Sequence, residues 1–298
     1  MLTEGEFVAD WIQAHCVHPA REKFGQPLVF ESWQREFLNE AFRYDRNGNY
    51  VYSSILFGGP RDIAKSTIAA AISLCKLSPD AAIPQPRIVA AANDRDQAKI
   101  VWGHARTMVE HSPALQQIFD YNQNSIWCPE NSGEFTRISA EGKTALGFAY
   151  DFQVRDEIAY WTSQKQVLLA EALDTALIKR DNAQAFNTST AGATKRSYLG
   201  ELYDVLIKHP DVEVDGGLTV VRDEEGGFLL WWYSAPQNSD LKSKMTRQSA
   251  ARLACPASWI TDEKIEAQYQ NPRISEDKWR RQHLNQWVFG QRSWFQAG

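Results

Sequence analysis

The chain has 298 residues, 43% of them hydrophobic, with 11 Trp and a formal net charge of −5. That length and apolar content support one large α/β domain or two small ones and argue against disorder. The negative balance excludes a uniformly basic nucleic-acid coat but leaves room for a local basic lining, because local field matters more than total charge.

Glu4 to Ala14 places Phe7, Trp11 and Ala14 at helical spacing, and Pro19 and Gly25-Gln26-Pro27 break the helix. His15-Cys16-Val17-His18 holds metal-like residues, but no second ligand pair follows at zinc spacing, so the expectation is a surface turn before Pro19. Cys16, Cys75, Cys128 and Cys255 lie far apart with no C-x-x-C pair, which fits reduced thiols in a cytosolic protein. No signal peptide and no apolar run of membrane length is visible, so a soluble protein with no membrane partner is expected. A second helix opens near Ser32, the expected N-cap, with Trp33, Phe37 and Phe42 as its buried stripe. The amide of Gln34 offers one donor and one acceptor, which suits the edge of adenine. The alternative is a solvated glutamine beside a core tryptophan.

The stretch Ile55 to Thr67 is the most informative in the chain. An apolar run from Tyr50 to Phe57 ends in glycines and a proline, and the chain then enters a helix-like Ile68 to Leu74. Strand, tight loop and helix in that order hold nucleotide phosphates with backbone N–H groups, a lysine, and a hydroxyl for magnesium. Against the pattern G-x-x-x-x-G-K-[ST], the sequence reads Gly59, Pro60, Arg61, Asp62, Ile63, Ala64, Lys65, Ser66, followed by Thr67. Ala64 stands where the second glycine belongs. Alanine tolerates positive φ poorly, so the loop must bend differently there or accept strain. A chance Lys-Ser after a buried strand is the competing reading.

Beyond the loop helix, Pro84 and Pro86 precede a strand from Arg87 to Ala92, and Asn93-Asp94 caps a helix running to His111. A strand-like Glu134 to Ala140 follows, then a turn between Glu141 and Leu146. The run from Gly147 ends in Asp156-Glu157, and such a pair opposite a phosphate loop serves a magnesium ATPase. The Asp carries the metal's water shell, and the Glu polarises the attacking water. The run alternates in polarity, unlike a central parallel strand, and Arg155 directly before the acids counts against the assignment. A half-exposed strand ending in a charged turn would look the same.

A helix over Gln164 to Ile178 leads to a strand, Ala183 to Thr188. Its tip, Thr188-Ser189-Thr190-Ala191-Gly192, can sense a terminal phosphate through a hydroxyl or simply cap the next helix, Lys195 to Lys208. Asp211 to Gly227 reads as a polar excursion with a turn at Glu224 to Gly227, and Phe228 to Ser234 as an apolar strand. Residues 236–258 read as irregular and partly basic, before two helices, Asp262 to Tyr269 and Glu276 to Trp287.

In this order, Trp33-Gln34, Gly59 to Thr67, Arg95-Asp96-Gln97-Ala98, Asp156-Glu157, Thr188 to Gly192 and His283-Leu284-Asn285-Gln286-Trp287 resemble the ATPase part of the large terminase subunit, the DNA-packaging motor of tailed bacteriophages. The resemblance runs from about Phe30 to Trp287. It implies ATP and Mg2+ as cofactors. Gln34 would read adenine, Arg61, Lys65 and Ser66 would serve phosphates and metal, Asp156 would hold magnesium, and Glu157 would activate water. Thr188, Ser189 and Thr190 would couple hydrolysis to movement.

The fold so implied is a three-layer α/β, RecA-like P-loop ATPase with a mostly parallel sheet. Its strands lie near 50–57, 87–92, 148–155, 183–188 and 228–234, with one inserted between the loop strand and the acid-pair strand. The expected organisation is a core over 1–235, including an N-terminal helical region, and a small helical lid or linker over 236–298. The family's ribonuclease-H-like nuclease domain is not expected in this chain, since no later acid cluster follows. The implied partners are double-stranded DNA, the portal protein and the small terminase subunit, in the host cytoplasm. The implied assembly is a homo-oligomeric ring, a pentamer by resemblance, from subunits that are monomeric when dilute. A ring motor needs a cation from a neighbouring subunit, and Arg137 is preferred over Lys143 because a guanidinium matches phosphate bidentately.

Overall fold

The computed structural model describes residues 2–92, 95–139 and 149–289. The expected Asn93-Asp94 cap, the turn between Glu141 and Leu146 with Lys143, and Gly147-Phe148 lie outside the described residues.

Strand β1 (Leu2–Thr3) leads into helix α1 (Gly5–His15) and pairs antiparallel with β2 (Arg43–Tyr44), which follows helix α2 (Ser32–Ala41). The N-cap of α2 is Glu31, one residue before the expected Ser32. Glu31 is extended and its carboxylate accepts the Gln34 backbone N–H, while Gln34 Oε1 accepts the Glu31 N–H at 2.8 Å. This reciprocal box satisfies two helix-end donors at once, which a serine one position later would not. Cys16 is also corrected: it is 1% exposed within the core rather than in a surface turn.

Strand β3 (Ser54–Gly58) is buried at every residue and feeds α3 (Lys65–Leu77), whose residues from Ile68 to Leu77 are all buried. A helix buried on every side, with its Lys76 paired to Glu4, belongs in the middle of a domain. Next come β4 (Arg87–Ala92), α4 (Arg95–His111), α5 (Pro113–Gln116), β5 (Asp120–Tyr121), β6 (Ser125–Cys128), β7 (Gly133–Ser139) and β8 (Phe152–Arg155). The chain continues through α6 (Gln164–Leu177), β9 (Gln184–Ser189), α7 (Tyr198–Leu206), β10 (Val212–Asp215), β11 (Leu218–Asp223) and β12 (Phe228–Tyr233). It closes with α8 (Lys244–Ala254), α9 (Asp262–Tyr269) and α10 (Glu276–His283).

Ten strands form one sheet in the order β10-β11-β12-β3-β9-β8-β4-β7-β6-β5. From β12 to β7 all neighbours are parallel, and antiparallel hairpins extend both ends. The strand inserted between β3 and β8 is β9. Pleating sends successive side chains to opposite faces. Phe57 joins the cluster under α1, α2, α3 and α4, whereas Leu56 joins the one under α6 and α7. The result is the expected three-layer α/β architecture.

The region from Asp211 to Gly227 is a hairpin rather than a polar excursion: β10 and β11 are joined at Gly216-Gly217 and continue into β12. Its signal was the alternation of Val212 and Val214 with Glu213 and Asp215 in β10, followed after two glycines by the β-branched run Thr219-Val220-Val221. Residues 244–254, read as irregular, form α8, capped by Ser243 accepting the Thr246 N–H. Helix α7 begins at Tyr198 and not Lys195, because Ser197 caps it, and α10 ends at His283, because Asn285 turns left-handed at φ 53. Beyond β12, Ala235, Leu241, Ala250, Ala254, Ile265, Trp279 and Leu284 form a small core of their own.

Candidate active site

In-register pairing sets the carboxyl ends of three strands side by side: Gly58 of β3 lies opposite Ser189 of β9 and Trp232 of β12. Strand β8 pairs with β9 through Arg155 and Asn187, so the acids after β8 open beside the tip of β9. Ligands of open parallel sheets bind at such ends.

The loop leaving β3 is tightly made. A Cβ on Gly59 would lie 2.3 Å from the Cδ1 of the buried Ile63, so a larger residue there would have to displace that side-chain end. Asp62 and Ala64 both adopt φ 67, and Ala64, at ψ 21, is the N-cap of α3. The loop therefore keeps the left-handed turn a glycine would give and accepts a steric cost of about 1–2 kcal/mol. Lys65 is 6% exposed, and its Nζ donates to the carbonyls of Gly59 at 2.9 Å and Pro60 at 2.7 Å. Burial pulls its ammonium below the usual lysine range, against the attraction of Glu157, Asp156 and Asp62. The N–H groups at the start of α3, which have no partner within the helix, and this lysine could together hold an anion.

Asp156 is nearly fully buried and accepts from Ser66 Oγ at 2.9 Å on one oxygen and from Thr188 Oγ1 on the other. Burial first, and then the neighbouring Glu157, push its carboxyl up to about 6, while the two hydroxyls and Lys65 pull it back. Glu157 is half-buried and left-handed (φ 51, ψ 48), a turn that aims its carboxylate across to β9. There Oε2 accepts from Thr190 N at 3.4 Å and Thr190 Oγ1 at 3.3 Å. These are long bonds that leave the carboxylate capacity for another partner. The hydroxyl of Ser189 is turned inward, donating to Thr190 O at 2.8 Å and accepting the Ala159 N–H at 3.0 Å. Thr67 Oγ1 lies 3.4 Å from His104 Nδ1.

Hard oxygen donors converge here, and Ser66 with Asp156 fits a magnesium ion, which prefers one or two protein oxygens plus water and phosphate. Among the described residues no cluster of His, Cys, Asp or Glu could hold a metal without such outside ligands.

Gln34 is 3% exposed, with its carbonyl oxygen committed to the α2 cap. Beside it the Trp33 ring packs on Phe57, Tyr233 and Trp259. Arg61 is exposed, its backbone N–H donating to Gln282 O at 2.8 Å and its guanidinium 3.3 Å from the Gln282 amide. Arg155 does not disrupt β8. It is fully buried on the face opposite Phe152 and Val154, bonded to Asp174 at 2.5 Å, Tyr198 at 2.9 Å and Gln153 at 2.9 Å. Alternation in this strand marks a polar layer under α6 and α7 rather than solvent. Arg137 sits on β7, its guanidinium 4.6 Å from the Trp102 ring centre and donating to Gln123 O at 3.2 Å.

The sequence reading missed two residues of the site wall and gave no role to a third, Asn285, which it named only within the run His283 to Trp287. Trp259 Nε1 donates to Asp62 O at 2.8 Å, Gln282 holds Arg61, and Asn285 accepts the Ala191 N–H at 2.6 Å. All three follow β12 in the chain, far in sequence from the groups they touch. A groove of about 830 Å3, lined by Ser53, Ile178, Asn182, Val205 and Phe228, opens at the opposite, amino ends of the strands and carries none of these groups.

A family model for the terminase large subunit ATPase domain matches residues 32–208. The terminase large subunit of Enterobacteria phage HK97 is 26% identical over 246 residues, covering 82% of this chain and 45% of that protein. The crystal structure of the HK97 bacteriophage large terminase superposes with a TM-score of 0.77 at 23% identity, over 96% of this chain and 56% of that one. The ATPase domain of the Thermus phage P74-26 large terminase superposes at 0.54 and 16% identity, over 87% of this chain and 98% of that one. The chain thus spans about half the length of the HK97 protein it resembles.

Proposed function

Because the chain belongs to the family of terminase large subunit ATPase domains, we propose that it hydrolyses ATP with magnesium and supplies the force that moves double-stranded DNA into a viral procapsid. One observation carries this reading: Lys65, Ser66, Asp156, Glu157 and Thr190 meet at the carboxyl ends of β3, β8 and β9. Lys65 binds phosphate by exchanging its two loop carbonyls for phosphate oxygens, aided by the α3 N-terminus and by Arg61 at the loop's exposed crest. Asp156 and Ser66 hold the ion, which would neutralise charge on the phosphates. Glu157 accepts a hydrogen bond from the attacking water and turns its lone pair toward the terminal phosphorus. Thr190 steadies that carboxylate, and Gln34 with the Trp33 surround forms the wall nearest a bound base.

The motor reading extends to a ring of subunits docked on a portal protein, fed by a small terminase subunit in the host cytoplasm and threaded by duplex DNA. Support for it comes from the family alone. Phosphate release, measured with magnesium and with or without duplex DNA, tests the proposal. Turnover raised by duplex is expected and should vanish in Glu157→Gln, which keeps shape but cannot accept the proton. Saturable ATP binding with no phosphate release under any DNA condition would leave an assembly protein that only binds nucleotide.

A further inference from the structure

The last turn of α10 and the residues just after it touch three separate walls of the site. Gln282 O accepts the Arg61 N–H of the loop, and Leu284 O accepts the Ala235 N–H beyond β12 at 3.0 Å. Between and beside these, Asn285 is 0% exposed and uses both ends of its amide. Its Oδ1 accepts the Ala191 N–H at 2.6 Å, and its Nδ2 donates to Tyr233 O at 2.7 Å. Its backbone is left-handed, at φ 53, a conformation that asparagine tolerates better than most residues. A buried amide satisfied at both ends, on a left-handed backbone, is a fixed geometry rather than a packed surface group.

Ala191 directly follows Thr190, whose N–H and hydroxyl meet the Glu157 carboxylate. The contact Asn285 makes is therefore one peptide away from the group that steadies Glu157. We propose that Asn285 is a positioning residue for hydrolysis: it ties the segment after α10 to the tip of β9 and so fixes Thr190 and, through it, the Glu157 carboxylate. This rests on the reading that Glu157 aligns the attacking water. Lys65, the phosphate-binding cation of the loop, is bonded to the carbonyls of Gly59 and Pro60, whereas the amide of Asn285 is bonded to Ala191 and Tyr233. Loss of the amide should then act on turnover and spare binding.

The test compares Asn285→Gly, Asn285→Asp and Glu157→Gln in the full chain, reading ATP turnover, the Kd for a fluorescent ADP analogue, and the melting temperature. Glycine keeps the left-handed backbone without strain and removes both bonds. Aspartate keeps an oxygen acceptor for the Ala191 N–H. We expect Asn285→Gly to lower kcat by tenfold or more while Kd stays within about threefold, since small misplacements of catalytic groups cost that much. Asn285→Asp should recover part of the lost kcat although its melting temperature stays at or below that of Asn285→Gly, because its second oxygen would face the Tyr233 carbonyl. If Kd weakens in step with kcat, or if turnover follows melting temperature across the variants, Asn285 is only structural and the proposal is overturned. Unchanged turnover in Asn285→Gly overturns it as well. Parental turnover in Glu157→Gln would instead remove the reading of Glu157, an outcome distinct from either.

Discussion

Ser66 Oγ donates to Asp156 Oδ2 at 2.9 Å across 90 positions of chain. The bond joins the first turn of α3 to the residue that follows β8, with β9 between the two strands supplying Thr188 to the same carboxylate. A hydroxyl and a carboxylate held this way stand at a separation that one small cation could bridge, so binding of the proposed magnesium ion would need little reorganisation.

Lys65→Ala should weaken ATP binding by about tenfold or more, because a charge-assisted contact contributes about 1.5–3 kcal/mol. The fold should survive, since the hydrogen bonds of the removed Nζ among the described residues are to the carbonyls of Gly59 and Pro60, within its own loop. A titration with a fluorescent nucleotide, beside a thermal melt, reads both effects. An unchanged titration curve would place the nucleotide elsewhere.

The site was legible where backbone chemistry and side-chain chemistry coincide in a short stretch. Gly59 to Thr67 carries its strand, turn and helix within one window, and Asp156-Glu157 stands at a strand end, so each announces itself locally. Trp259 and Gln282 do not, and Asn285, though named within the run His283 to Trp287, gives no sign of its partner, because the contacts with Asp62, Arg61 and Ala191 are made across long separations by ordinary polar or aromatic residues. The same limit explains Arg155. Alternating polarity in β8 counts against a central strand and leaves half-exposure open, whereas Asp174 and Tyr198, from α6 and α7, supply partners that make the polar face a buried one. Glu31 was overlooked as a cap because its partner is the glutamine side chain three residues on, already assigned to adenine.

Ala64→Gly should not destabilise the protein. At φ 67 alanine carries a steric cost of about 1–2 kcal/mol, which glycine relieves, while glycine's greater freedom in the unfolded chain takes back about 0.5–1 kcal/mol. The expected melting temperature is at or up to about 2 °C above the parent's. Ala267→Gly, on the exposed face of α9, is the control and should cost about 1 kcal/mol. Equal losses in both variants would mean that position 64 does not hold a left-handed turn in solution.

His283 gives the stability a defined response to acid. Burial pushes its imidazole down to about 4, with Asp62 pulling it up and Arg61 pushing it down. The folded protein thus keeps it neutral, and the unfolded chain takes up a proton below about 6.5. Above that value the group makes no difference. As pH falls from about 6.5 to 4 the folded state loses on the order of 1 kcal/mol per pH unit, and the loss levels off below. Denaturant melts of the parent and of His283→Asn at pH 7 and pH 5 isolate this contribution, because other titrating groups cancel in the difference. The variant should lose less stability than the parent between those two values; an equal loss would place His283 in contact with water.

Arg137 can be tested for two roles at once. In the single chain its guanidinium lies over Trp102 and bonds Gln123, on β7, two strands away from β8. These contacts alone account for a modest stabilisation, about 0.5–1 kcal/mol for a partly exposed cation over a ring. In a ring, a cation from a neighbouring subunit can raise hydrolysis by ~10³-fold or more. If Arg137 serves only Trp102, Arg137→Ala should lower the melting temperature slightly and leave turnover per folded molecule unchanged at every concentration. If it serves a neighbour, parental specific activity should climb with protein concentration, and Arg137→Ala should stay at the dilute value throughout. Mixing Arg137→Ala with Lys65→Ala then decides the matter, since one subunit brings an intact nucleotide site and the other an intact arginine. We expect the mixture to regain part of the activity that neither variant has alone. A mixture as inactive as its components, at concentrations where light scattering shows oligomers, would return Arg137 to its seat on Trp102.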